Sequence, residues 1–125
     1  MKPEDVVRRF WDLMATNDFY SAGEVLAEDF VMEWPQSGER IRGAERFARM
    51  NTEYPAKGPW RVHVNRLVAG ESEVVTQVSV TDGEQHAEPI SFFTVVDGRI
   101  TRLVEYWPEP FAPAENRRDF VERMG

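Results

Sequence analysis

The sequence predicts an α+β domain, with three N-terminal helices packed on one face of a curved, mostly antiparallel sheet. Two observations predict it. Apolar residues recur at helical spacing in three segments before residue 51, and at period two from Trp60 onward. Two Asp-Gly pairs, Asp82-Gly83 and Asp97-Gly98, sit between alternating runs, where two-residue hairpin turns belong.

The first helix starts at Pro3, with Glu4 and Asp5 in the first turn, where the helix dipole favours anions. Val6, Val7, Phe10, Trp11 and Met14 form its apolar face. Asn17-Asp18 interrupts the chain, and a second helix follows with Phe19, Ala22, Val25 and Leu26 on one side. Phe30 to Trp34 reads as a short strand stopped by Pro35, and Gln36-Ser37-Gly38-Glu39 as a turn. Gly43 precedes a third helix with Ala44, Phe47 and Met50 inward, and Pro55 to Pro59 is a loop. Trp60, Val62 and Val64 then open a meander that continues through Val74–Thr81, His86–Val96 and Gly98–Trp107. Residues 1–110 read as one domain and 111–125 as a tail with a short helix, Glu115 to Met124.

The composition excludes several functions. The chain has 125 residues and no cysteine, so disulfides and thiolate chemistry are out. Its two histidines give a metal site little to build on, and no metal or cofactor is expected. A net charge of -7 argues against nucleic acid and anionic membrane surfaces. No apolar run approaches the roughly 20 residues of a membrane helix. The N-terminus runs into a helical pattern without a signal-peptide core, so a cytoplasmic location is expected. No phosphate loop, dinucleotide fingerprint or nucleophile elbow occurs.

Two-residue turns at both Asp-Gly pairs fix a register. Phe92 then faces Leu103, Ile90 faces Glu105 and Glu88 faces Trp107 across one hairpin; Ser79 faces His86, Gln77 faces Glu88 and Val75 faces Ile90 across the other. Glu88 and Glu105 become diagonal neighbours, roughly 7–8 Å apart. The opposite face carries Val74, Thr76, Val78, Val80, Ser91, Phe93, Val95, Ile100, Val104 and Tyr106. It is also largely apolar. Helices cover one face, and a second copy of the chain is the economical cover for the other.

The order helix–helix–strand–helix–meander, ending in Gly98-Arg99-Ile100 and Glu105-Tyr106-Trp107, resembles the nuclear transport factor 2-like (NTF2-like) superfamily in its SnoaL-like branch. The resemblance covers about residues 5–110. It implies a cone-shaped domain, often dimeric, with a pocket between helices and sheet. Leu103, Glu105 and Trp107 fall on that family's pocket-facing positions. The ketosteroid isomerase branch uses an Asp before a Pro, a Tyr and a protonated Asp. Here Trp34 precedes Pro35, Phe10 stands at the Tyr position and Phe92 near the second Asp, so that mechanism is not expected. Neither the Asp-Arg-Asp set of limonene epoxide hydrolases nor the His-Asp pair of scytalone dehydratase is recognisable.

Glu105 is the leading candidate for chemistry, since flanking Leu103 and Trp107 would strip its hydration and raise its pKa. It reads equally as a structural carboxylate. Glu88 is its candidate partner with a split pKa, or a solvated strand-end charge. Trp34, Trp107, Phe92, Phe10, Met14, Leu103 and Ile90 read as pocket walls or plain core, and Gln77 as a ligand-orienting amide or an ordinary strand polar residue. His63 and His86 read as surface residues. The expectation is a hydrophobic small molecule bound by a homodimer, with cofactor-free isomerase, cyclase or dehydratase chemistry; the alternatives are a non-catalytic binder or an interaction module.

Overall fold

The computed structural model describes all residues from Met1 to Gly125. Helix α1 (Pro3–Ala15) buries Val6, Val7, Phe10, Trp11, Leu13 and Met14, one continuous stripe at helical spacing. Asp5 accepts a hydrogen bond from the Lys2 backbone N–H (3.2 Å) and closes its first turn. The second helical segment is a 3-10 helix, Phe19–Val25, rather than an α-helix. Leu26, expected at its end, already belongs to strand β1 (Leu26–Trp34). The turn after Pro35 leads into a short strand, β2 (Glu39–Arg42), which the sequence did not announce, and then into α2 (Ala44–Glu53).

Strands β3 (Arg61–Ala69), β4 (Glu73–Thr81), β5 (His86–Ala87), β6 (Ile90–Val96) and β7 (Arg99–Tyr106) complete the sheet. The order is β2-β1-β7-β6-β4-β3, with β5 beside β4. Only the β1–β7 pairing is parallel. The helices lie on one face, and the core between them is aromatic. Phe10 stacks edge-on against Phe93 (ring centroids 5.3 Å apart) and lies 5.9 Å from Phe47, which meets Phe30 at 5.5 Å. Each such ring, fully buried, contributes roughly 1.5–3 kcal/mol. Phe10 and Met14 are therefore core, as is Leu103, which is fully buried.

Both expected hairpins need correction. At Asp97-Gly98 the turn is as expected: Asp97 and Gly98 have φ of 50° and 77°, and Val96 pairs with Arg99. A bulge follows at Thr101, between the pairs Val95–Ile100 and Thr94–Arg102. Beyond it Phe93 pairs with Leu103, Phe92 with Val104, Ser91 with Glu105 and Ile90 with Tyr106. One extra residue moves the whole of β6 to the other face relative to Glu105. At the other hairpin Thr81 pairs with His86, so the loop has four residues, Asp82–Gln85. The Asp82 carboxylate accepts the Glu84 N–H (2.9 Å) and Gln85 N–H (2.6 Å), which holds this wider turn open. That shift is by two residues, so it leaves the faces of β4 and β6 in step.

The inner face thus carries Val74, Thr76, Val78, Ser91, Phe93, Leu103 and Glu105, all buried. Val75, Gln77, Ile90, Phe92, Val104 and Tyr106 lie on the outer face. The tail forms one 3-10 turn, Glu115–Arg117, in place of the expected helix to Met124.

Candidate functional site

The C-terminal ends of the parallel neighbours β1 and β7 lie side by side. Trp34 closes β1, because Pro35 cannot continue the ladder. Its carbonyl accepts the Gly38 N–H (2.9 Å), and Gly38 takes the positive φ, 75°, that the turn requires. Gln36 in this turn brackets the backbone of Trp107: its Oε1 accepts the Trp107 N–H (2.5 Å) and its Nε2 donates to the Trp107 carbonyl (3.3 Å). The two tryptophans are thereby fixed relative to one another.

Glu105 lies behind them. The Trp34 and Trp107 indole N–H groups both donate to its Oε1, at 3.2 and 3.1 Å, and the Ser91 hydroxyl donates to Oε2 at 2.9 Å. The residue is 6% exposed, and none of the five ion pairs of the protein involves it. Burial pushes its carboxyl up from the ordinary glutamate range, and the hydrogen bonds from Trp34, Ser91 and Trp107 only partly oppose that. Neutral donors stabilise the charged form less than a cation would. A hydroxyl both donates and accepts, so the same geometry serves the protonated acid, with Oε2–H donating to Ser91 Oγ.

Two clefts flank Trp34. One, about 340 Å³, lies on the helix side of the sheet edge and is lined by Trp34, Ile41, Met50, Glu39, Glu53 and the arginines 40, 46 and 49. Arg46 pairs with no carboxylate there. The other, about 410 Å³, opens on the outer face over Val104, Tyr106 and Pro35. Glu33 crosses its floor, paired with Arg40 (2.6 Å) and with Arg102. Both arginines hold the Glu33 carboxyl below its ordinary value, Arg102 the more strongly. Glu105 lines neither cleft.

Of the residues singled out from sequence, the fold brings together Trp34, Glu105 and Trp107. Glu88 is exposed and on the outer face, where it accepts from the Ser79 hydroxyl (3.3 Å), so it is no partner of Glu105. Gln77, Ile90 and Phe92 share that outer face, and Phe92 stacks on Tyr106 (6.0 Å, edge-on). His63 and His86 are exposed. Sequence reasoning missed Ser91, placed on the wrong face by the hidden bulge, and Gln36, read as ordinary turn. No three His, Asp or Glu side chains gather as metal ligands would, and no helix is long and apolar enough to cross a membrane.

The SnoaL-like domain family matches residues 7–103, and the chain belongs to it. A crystal structure of a proposed ketosteroid isomerase from Kribbella flavida is 33% identical, with a TM-score of 0.89 over 98% of this chain and 90% of that one. An NTF2-like protein of unknown function from Burkholderia xenovorans shares the fold at 23% identity and TM-score 0.80, over 98% and 95%. An epoxide hydrolase of M. tuberculosis, of the limonene epoxide hydrolase-like type, is 26% identical at TM-score 0.67, over 83% and 80%. No curated protein matches the sequence significantly.

Proposed function

We propose that this SnoaL-like domain is a small-molecule binding protein, with its ligand in the cleft along Trp34 and Glu105 holding the indoles in place. The observation that carries this reading is the enclosure of Glu105. Its oxygens face three donors, and the open cleft runs along Trp34 instead. Trp34, Ile41 and Met50 offer an apolar wall, and Arg46 an unpaired cation at the rim. That combination suits a molecule with an apolar body and an anionic group. A homodimer through the outer sheet face belongs to the same reading, supported by the apolar band of Val75, Ile90, Phe92, Val104 and Tyr106.

Acid/base catalysis by Glu105 is the second reading. One observation favours it: the acid is held towards its neutral form, and Trp107, one of its donors, is 37% exposed, so rotation of a single indole would uncover it.

Titration with 1-anilino-8-naphthalenesulfonate, an aromatic anion, separates the two, with near-UV circular dichroism to confirm the native fold. Binding alone predicts that Trp34→Ala weakens the probe about tenfold or more, roughly 1.4 kcal/mol, while Glu105→Gln changes it less than about twofold. A folded Glu105→Gln protein that loses the probe would place the carboxyl against the ligand and reverse the preference.

A further inference from the structure

The two indoles that donate to Glu105 Oε1 sit at nearly the same distance from it, yet they are not held alike. Trp34 ends β1 and packs, half-buried, against the core. Trp107 stands one residue beyond β7, is 37% exposed, and stacks on no other aromatic ring. Its backbone is also cut off from the sheet. After the Ile90–Tyr106 pair, the residue of the β6 side that would face Trp107 is Pro89, which has no N–H and whose carbonyl is taken by the Val78 N–H (3.3 Å). On the β1 side the ladder stops at Pro35. The Trp107 N–H and carbonyl therefore have no main-chain partner, and the Gln36 side chain serves both. From Pro108 onward the chain makes no hydrogen bond to the rest of the domain. Gln36 on the backbone and Glu105 on the indole make all the hydrogen bonds of Trp107.

We infer that Trp107 is a lid over the Glu105 carboxyl, and that Gln36 is its latch, a positioning residue that sets how often the lid opens. Opening strands no buried atom. When the Trp107 indole leaves, Oε1 keeps the Trp34 N–H and Oε2 keeps the Ser91 hydroxyl, while the freed indole N–H and Gln36 amide meet water. The ring leaves a partly exposed position, so little apolar burial opposes the movement. The segment that follows is untied and can move with it. Access to Glu105 then runs past Trp107, and not through the two clefts beside Trp34, neither of which Glu105 lines. The lid deepens the acid/base reading above, which needs the carboxyl uncovered, but it opens whether or not Glu105 reacts.

The test is made on the full chain by nitrogen-15 NMR. Four tryptophans give four indole N–H signals, and Trp107→Phe identifies that of Trp107. Gln36→Ala is expected to speed hydrogen exchange at the Trp107 indole about tenfold, the factor its two lost hydrogen bonds support, and to leave Trp11 and Trp34 within about twofold. Gln36→Glu keeps an acceptor for the Trp107 N–H but loses the donor to its carbonyl, so its effect should fall between. Amidation of carboxyls with a water-soluble carbodiimide and glycine methyl ester, mapped by mass spectrometry, should label Glu105 faster in Gln36→Ala by a similar factor. Acceleration of all the indoles together would mean that Gln36 only supports the fold, and overturns the latch. A folded Gln36→Ala protein whose Trp107 exchange stays at the parent rate, or rises without faster labelling of Glu105, overturns the lid. The anilinonaphthalenesulfonate titration of Glu105→Gln decides the acid/base reading separately, since neither of its outcomes alters Trp107 exchange in the parent.

Discussion

Glu105 and Asp82 are both nearly inaccessible carboxylates, 6 and 5% exposed, yet their surroundings push them in opposite directions. Asp82 sits at a loop and accepts four hydrogen bonds: from the backbone N–H groups of Lys57 (2.8 Å), Glu84 and Gln85, and from the Gln85 side chain (2.7 Å). The Lys57 N–H contributes most, and the carboxyl is held far below its ordinary value. Glu105 has three donors, all neutral side chains, on the buried face of the sheet. Desolvation wins there and the carboxyl is pushed up. Low accessibility alone therefore does not say which way a carboxylate shifts; Asp82 lies in a surface loop among backbone donors while Glu105 is enclosed in the core, and depth of burial and kind of donor decide together.

Breaking each site in turn orders the consequences. Asp82→Ala is expected to cost the most, since it strands three backbone N–H groups and releases the four-residue loop; in urea unfolding at pH 7 its midpoint should fall further than that of any Glu105 or Trp107 variant. Glu105→Ala leaves two indoles and one hydroxyl without their acceptor, and about 1–3 kcal/mol of stability should go with them. Glu105→Gln keeps an oxygen for the indoles and an N–H₂ for Ser91 Oγ, so it should remain within about 1 kcal/mol of the parent at pH 5. Its difference from the parent sharpens the contrast as pH rises. A carboxyl with a raised folded pKa gives its full stability below the unfolded value and loses it as pH climbs through the folded one. Glu105→Gln should therefore gain on the parent from pH 5 to pH 8. Asp82 has the opposite sign: its contribution is present above the ordinary aspartate value and is lost as pH falls below it. The smallest effect is expected of Trp107→Phe, which removes one of three donors at a partly exposed position, about 1 kcal/mol or less by thermal melting, and lifts the Glu105 carboxyl further.

Much of this was legible in the sequence, and the partners of Glu105 were missed for one physical reason. Helix α1, the Asp97-Gly98 turn and the grouping of Trp34 and Trp107 with Glu105 follow from spacing, turn chemistry and the family resemblance. The partners of Glu105 do not, because register reasoning counts residues and a bulge adds one. Thr101 therefore exchanged Ser91 for Ile90 opposite Glu105 and moved Phe92, Gln77 and Glu88 away from it. A signal was present. Ile100 and Leu103 are both buried but three apart, an odd spacing that no regular strand supports. The inward-facing Val64 and Leu67 repeat it in β3, where a second bulge lies between Val64 and Arg66. The wide Asp82 loop was missed because an Asp-Gly pair signals a tight turn, while the side chain of that Asp builds a larger one.

The acid/base reading needs Glu105 to be an enclosed acid whose carboxyl ionises above the ordinary glutamate range. Carbon-13 NMR titration of the glutamate side-chain carboxyls, comparing the parent with Glu105→Gln to identify the resonance, tests this directly. One carboxyl, absent from the variant, is expected to ionise at clearly higher pH than the others. A Glu105 resonance that ionises with the surface glutamates, or below them, would contradict it.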